Sequence, residues 1–241
     1  FATLISIIFS YLVSTRLHNK AIQGEFVQAS YRSSAAILGI ALIENIYGHS
    51  TIAPLMIFAS VPLYNVMAVI VLSVLKRERT KMGKEVLIKT IKGIASNPII
   101  LGIIAGFLWS ISGIKQPVIM QKTLNNLSVL ATPLGLMAMG ASFQLQNAKG
   151  LWKPAILCTF IKLIVFVAIF LPIAIWMGFT SEKLVAILIM LGSATTVSCF
   201  IMAKNMGHDG TLSSTVVMLT TLCSAFTLTM WLFILKTLSY I

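Results

Sequence analysis

Eight mostly apolar stretches, at 1–14, 26–47, 52–75, 98–113, 124–143, 154–177, 183–203 and 212–235, take up most of this chain and decide what it can fold into. A helix needs about 20 apolar residues to cross the hydrocarbon core of a bilayer. Inside that core no water is available, so each backbone N–H and C=O must be bonded within a helix or a closed barrel. Barrels are written in alternating segments of about ten residues, a pattern this chain lacks. The charged fraction agrees: 10% of the 241 residues, against about a quarter in a soluble domain. With a mean hydropathy of +0.96, a water-exposed globule is excluded. The expected fold is an all-α polytopic membrane protein of eight helices.

Basic residues sort by connection. The loops near 15–25, 76–97, 144–153 and 204–211 hold twelve Lys and Arg, whereas the alternate loops and the C-terminal end hold four. By the positive-inside rule the first set is cytoplasmic and the C-terminus outside. The net charge of +12 is therefore topogenic, and its aromatic residues sit in apolar runs, which argues against nucleic acid. The basic segment KRERTKMGKEVLIKTIK (76–92) can also meet anionic lipid headgroups. Cys158, Cys199 and Cys223 lie inside apolar runs without metal-ligand spacing and read as small buried hydrophobes. The opening FATLISIIFSYLV has no basic segment before it and no cleavage signal, so it reads as a truncated span rather than a signal peptide.

Sliding the chain by 159 residues lays the first three spans on the last three. Ser34-Ala35 then falls on Ser193-Ala194, and Gly48-His49 on Gly207-His208. Five spans make one period, an odd number, so the copies run in opposite directions through the membrane. The spans at 98–113 and 124–143 open the second copy, and their counterparts are expected ahead of Phe1. The parent architecture is thus an inverted five-plus-five repeat. Residues 1–75 are what remains of the first copy, 76–97 a basic cytoplasmic loop, and 98–241 the second copy.

Inverted repeats belong to secondary carriers, whose sites form near the midplane from interrupted helices. One candidate interruption lies in each copy: SYRSSAA at 30–36 and GSATTVS at 192–198. Small and hydroxyl-bearing residues hold a helix poorly and can satisfy the backbone groups an unwound turn releases. The same residues also permit close helix packing, but their equivalent positions in the two copies favour paired broken helices that cross. Ser33, Ser34, Thr195, Thr196 and Ser198 are the candidate substrate-binding residues. Lys162 lies eight residues into its span, roughly 12 Å deep. Two readings stay open for it: snorkelling to the cytoplasmic headgroups, or a buried cation that balances an anionic substrate. Arg32 and Lys204, nearer the cytoplasmic ends, are expected to snorkel; Glu44 is expected at the outer interface, and His49 and His208 as turn residues. Asn97-Pro98 reads as a helix start and Pro133 as a kink. No nucleophile–base pair, phosphate loop or metal cluster is written, so neither enzyme, cofactor nor metal is expected.

Four stretches together resemble the auxin efflux carrier family, including its bacterial members and the plant PIN-formed proteins: YRSSAAILGIALIENIYG (31–48), SNPIILGIIAGFLWSISGI (96–114), LNNLSVLATPLGLMAMGASF (124–143) and AKNMGHDGTLSSTVVMLTTLCSAFTLTMW (203–231). The resemblance implies a scaffold domain, here 98–145, and a transport domain, here 1–75 with 154–241, together with a homodimer through the scaffold helices. Ser34 stands where the family often has asparagine, and Ser33 and Cys199 where the plant members have proline. Auxin specificity is therefore not carried over, and the bacterial members point instead to small carboxylates. The expected function is a plasma-membrane secondary transporter of small organic anions, coupled to protons or sodium or to neither. A transporter-like ligand-sensing module and a cation–proton antiporter of the same general fold remain as alternatives.

Overall fold

The computed structural model describes residues 1–49, 51–76, 96, 98–142 and 149–241. Among these residues all regular structure is helical. The helices are α1 (Ala2–Ser14), α2 (Gln23–Tyr31), α3 (Ala35–Tyr47), α4 (Ala53–Val74), α5 (Pro98–Ser112), α6 (Val118–Ser142), α7 (Trp152–Phe160), α8 (Phe166–Trp176), α9 (Ser181–Gly192), α10 (Ser198–Asn205) and α11 (Thr211–Thr237). A π turn, Ile161–Val165, joins α7 to α8. Among the described residues three continuous apolar helices are long enough to cross a membrane: Pro54–Val74, Trp152–Trp176 and Thr211–Thr237.

Two expected spans are each delivered as two pieces. The stretch 26–47 is α2 and α3, of 9 and 13 residues, and 183–203 is α9 and α10, of 12 and 8. None of the four pieces is long enough to cross a bilayer alone. The first break falls at Arg32–Ser34, where Arg32 turns extended (ψ 129°), and the second runs over 193–197, where Ser193 does the same (ψ 162°). Ser33 and Ser34 follow Arg32 in the first break and Ser193, Ala194, Thr195 and Thr196 fill most of the second, residues with a weak hold on a helix. The order of elements recurs at the 159-residue offset. Gly48 and Gly207, which that offset pairs, both take positive φ (+74° and +77°), the left-handed stop that glycine reaches without strain.

The span expected at 124–143 starts earlier, at Val118, and α6 runs on through Pro133. α5 begins at Pro98, while its expected cap Asn97 lies outside the described residues, as does nearly all of the basic loop 76–97. α1 to α4 and α7 to α11 pack into one body, whose largest core cluster joins Phe26 and Ala29 of α2 to Cys158, Phe166, Cys199, Leu212 and Val216. α5 and α6 lie at its side with mostly exposed surfaces; α6 reaches the body through Met139, packed on Phe200 and Val217.

Contacts at the ends of this body bring together loop 15–25 with 204–211, and Thr51 with 181–182 and the C-terminal end. At one end the His208 ring lies on the Leu72 carbonyl at 3.0 Å, and Glu25 accepts from the Gly210 N–H. At the other end Glu182 accepts from the Thr51 N–H, and the Ser181 N–H donates to the Tyr240 carbonyl at 3.0 Å. Glu44 and Lys204 are exposed, whereas His208 is a turn residue whose ring is buried.

Candidate functional site

The two breaks touch. The Ser34 N–H, freed where α2 ends, donates to the Ala194 carbonyl in the second break at 2.9 Å. That bond joins residues 160 apart in sequence and brings five candidate hydroxyls to one place in the core.

Around the second break the backbone is closely tied. The Thr195 N–H donates to Thr220 Oγ1 at 3.0 Å, and the Thr195 hydroxyl donates to the Ala29 carbonyl at 2.9 Å. Both bonds take up groups that an interrupted helix would otherwise leave unpaired in a dry interior. Thr196 Oγ1 and Ser198 Oγ lie 3.2 Å apart, half-buried at the start of α10.

The first break carries charge. Lys162 Nζ donates to Ser33 Oγ at 2.8 Å, and the lysine is fully buried, so the snorkelling reading is overturned. Its direction comes from the π turn, which widens the helix by one residue just where Lys162 stands. π turns recur at functional sites. The Trp231 indole N–H donates to the Leu163 carbonyl within that turn at 3.1 Å, supplying a partner from α11.

Arg32 does not snorkel either; it is 3% exposed. Its Nη2 donates to Asn65 Oδ1 at 2.7 Å and to Ser198 Oγ at 2.9 Å, its other terminal nitrogen lies against the Met202 sulfur, and its Nε has no partner. The physical reason is supply: Asn65 on α4 and Ser198 on α10 offer neutral acceptors within reach, so the guanidinium stays in the interior. Among the described residues the one carboxylate within 4.0 Å of a basic side chain is Glu182, beside His49 at 3.9 Å, so no carboxylate pairs with Arg32 or Lys162 there. Ser193 Oγ and both amide atoms of Gln28 are also buried without a partner among the described residues.

The structure thus gathers Ser33, Ser34, Thr195, Thr196, Ser198 and Lys162 at one junction. Sequence reasoning missed Arg32 as a member, together with Asn65 and Thr220, the side chains that hold the breaks. Asn65 and Thr220 did leave a signal, each being a polar residue inside an apolar span. What the junction offers chemically is two basic side chains, a hydroxyl cluster and the N-terminus of α3, whose cap residue Ser34 makes no side-chain cap bond. All of these favour negative charge. No group of three or more His, Cys, Asp or Glu able to hold a metal occurs among the described residues.

Over residues 1–232 the chain matches the protein family described as membrane transport protein. No curated protein matches it.

Proposed function

Because the chain belongs to the membrane transport protein family, that of the auxin efflux carriers, we propose that it carries small organic anions across the plasma membrane as a secondary transporter. One observation carries this reading: Arg32 and Lys162 are both buried at the touching breaks with neutral partners alone among the described residues. Ionised side chains inside a membrane protein are costly and mark ion or substrate paths. A carboxylate arriving between them supplies the missing countercharge. Ser33, Ser34, Thr196 and Ser198 line its place, Lys162 and Arg32 balance it, and Thr195 shapes the break around it.

Alternating access follows from the inverted repeat: the body formed by 1–75 and 154–241 moves against the scaffold pair 98–145, which also carries the homodimer contact. The charge bias puts the 76–97 loop in the cytoplasm and the C-terminus outside. Labelling of Lys84→Cys and Ser239→Cys in a background free of native cysteines tests that orientation.

The function is tested with the purified chain in proteoliposomes, a panel of labelled mono- and dicarboxylates, and imposed proton or sodium gradients. Saturable flux of a carboxylate that Lys162→Gln abolishes is the expected result. Carboxylate binding without flux would favour the sensing reading, and the absence of both binding and flux would remove the anion site.

A further inference from the structure

The two long helices that close the repeats, α4 and α11, are each capped by a carboxylate from the opposite half of the chain. Glu25, near the start of α2 and 1% exposed, accepts from the Gly210 N–H through Oε1, and from the Ser213 N–H and hydroxyl through Oε2, all at 2.9 Å. Glu182, near the start of α9, accepts from the Thr51 and Ile52 N–H groups through Oε1, both at 2.8 Å. Thr51 and Gly210 are paired by the 159-residue offset, and the two glutamates stand within two residues of the same equivalence. A helix begins with N–H groups that have no partner in the helix, and a carboxylate there gains both hydrogen bonds and the favourable end of the helix dipole.

The same two helices hold the breaks further along. Thr220 of α11 receives the Thr195 N–H, and Asn65 of α4 receives Arg32. Shifted by the offset, Asn65 and Thr220 fall four residues apart, one turn along the same helix face. Each chain of contacts therefore runs crosswise. Glu25 sits on the first broken helix, yet through α11 it reaches the second break, about 15 Å along that helix. Glu182 sits on the second broken helix and through α4 reaches the first.

We infer that Glu25 and Glu182 are positioning residues for the junction: Glu25 fixes the break at 193–197 by seating α11, and Glu182 fixes the break at 32–34 by seating α4. The transport consequence rests on the proposed carrier function, whereas the crosswise coupling does not. The two seats differ in strength. Glu25 is buried with three bonds, while Glu182 keeps a side chain 14% exposed and has His49 Nδ1 at 3.9 Å as a further neighbour.

Hydrogen exchange of the full chain in lipid nanodiscs tests the inference without any transport assay. Glu25→Gln takes away the charge and leaves one acceptor oxygen for three donors; it should speed exchange of the 193–198 segment about tenfold. Glu182→Ala should do the same to 31–36. The opposite assignment would overturn the inference: Glu25→Gln loosening 31–36 but not 193–198, with Glu182→Ala loosening 193–198 but not 31–36. So would loosening confined to the caps at 210–214 and 51–54. If Glu25→Gln does not fold, Ser213→Ala removes one of the same bonds from the α11 side and should move 193–198 about two- to threefold; no change there would equally overturn it. In vesicles, both glutamate variants should lower the maximal rate and leave KM within about twofold. Absence of flux in the wild type would count against the carrier function alone, since the exchange pattern is read separately.

Discussion

The two breaks occupy equivalent places and are made of similar residues, yet they are wired differently. At 193–197 the hydrogen bonds run to the backbone and side chains of neighbouring helices: Thr195 spends its N–H on Thr220 and its hydroxyl on Ala29. At 32–34 the break is held by Lys162 on Ser33 and by Arg32 on Asn65 and Ser198. One break is a frame and the other is a charged wall. The comparison teaches that similar segments at matched positions need not share their chemistry: the second is secured by hydroxyls, while the first rests on buried basic side chains whose desolvation cost offsets what their hydrogen bonds contribute.

That division can be broken most forcefully at Lys162. Lys162→Met removes a buried charge that no carboxylate balances among the described residues, so thermal unfolding should be unchanged or higher. Carboxylate affinity should fall by one to two decades, since a hydrogen bond to a charged group contributes about 1.5–3 kcal/mol. A drop in both stability and affinity would place Lys162 in the frame. Arg32→Gln is the next largest change: glutamine keeps a donor for Asn65 or Ser198 but no charge, and affinity should fall about tenfold. An unchanged affinity there would leave Lys162 as the sole countercharge.

Thr195→Val tests the frame itself. The N–H bond to Thr220 remains and the bond to Ala29 is lost, so stability should fall by about 1–2 kcal/mol, read as a lower melting temperature. Affinity in the surviving folded protein should change less than in either cation variant. An affinity loss equal to that of Lys162→Met at unchanged stability would move Thr195 from frame to ligand contact. The smallest effect belongs to Ser193→Ala. Its hydroxyl is buried without a partner, so its removal should be neutral or raise the melting temperature slightly. Weaker substrate binding in that variant would show that the hydroxyl waits for the anion.

Much of this was legible before any coordinates. Apolar runs marked where the helices lie, because the bilayer allows few other patterns, and among the described residues three of them are continuous helices long enough to cross a membrane. Small and hydroxyl residues at matched positions marked both breaks to within two or three residues. The destinations of long side chains were not legible. Arg32 has the reach to snorkel or to stay inside, and the choice was made by Asn65 and Ser198, 33 and 166 residues away in sequence. The seats at Glu25 and Glu182 left no trace for a different reason. Most of their partners are backbone N–H groups, which every residue but proline carries, so no residue pattern announces them.

The π turn at Ile161–Val165 gives Lys162 its bearing by length rather than by identity. Each residue added to or dropped from a helix swings everything beyond it by about 100°. Deleting one residue from this turn would close it into an ordinary α-helix and swivel the ammonium against α8, with Ser33, Arg32 and the two breaks left in place. A single codon loss could thus take the ammonium away from the junction without altering any residue that lines it.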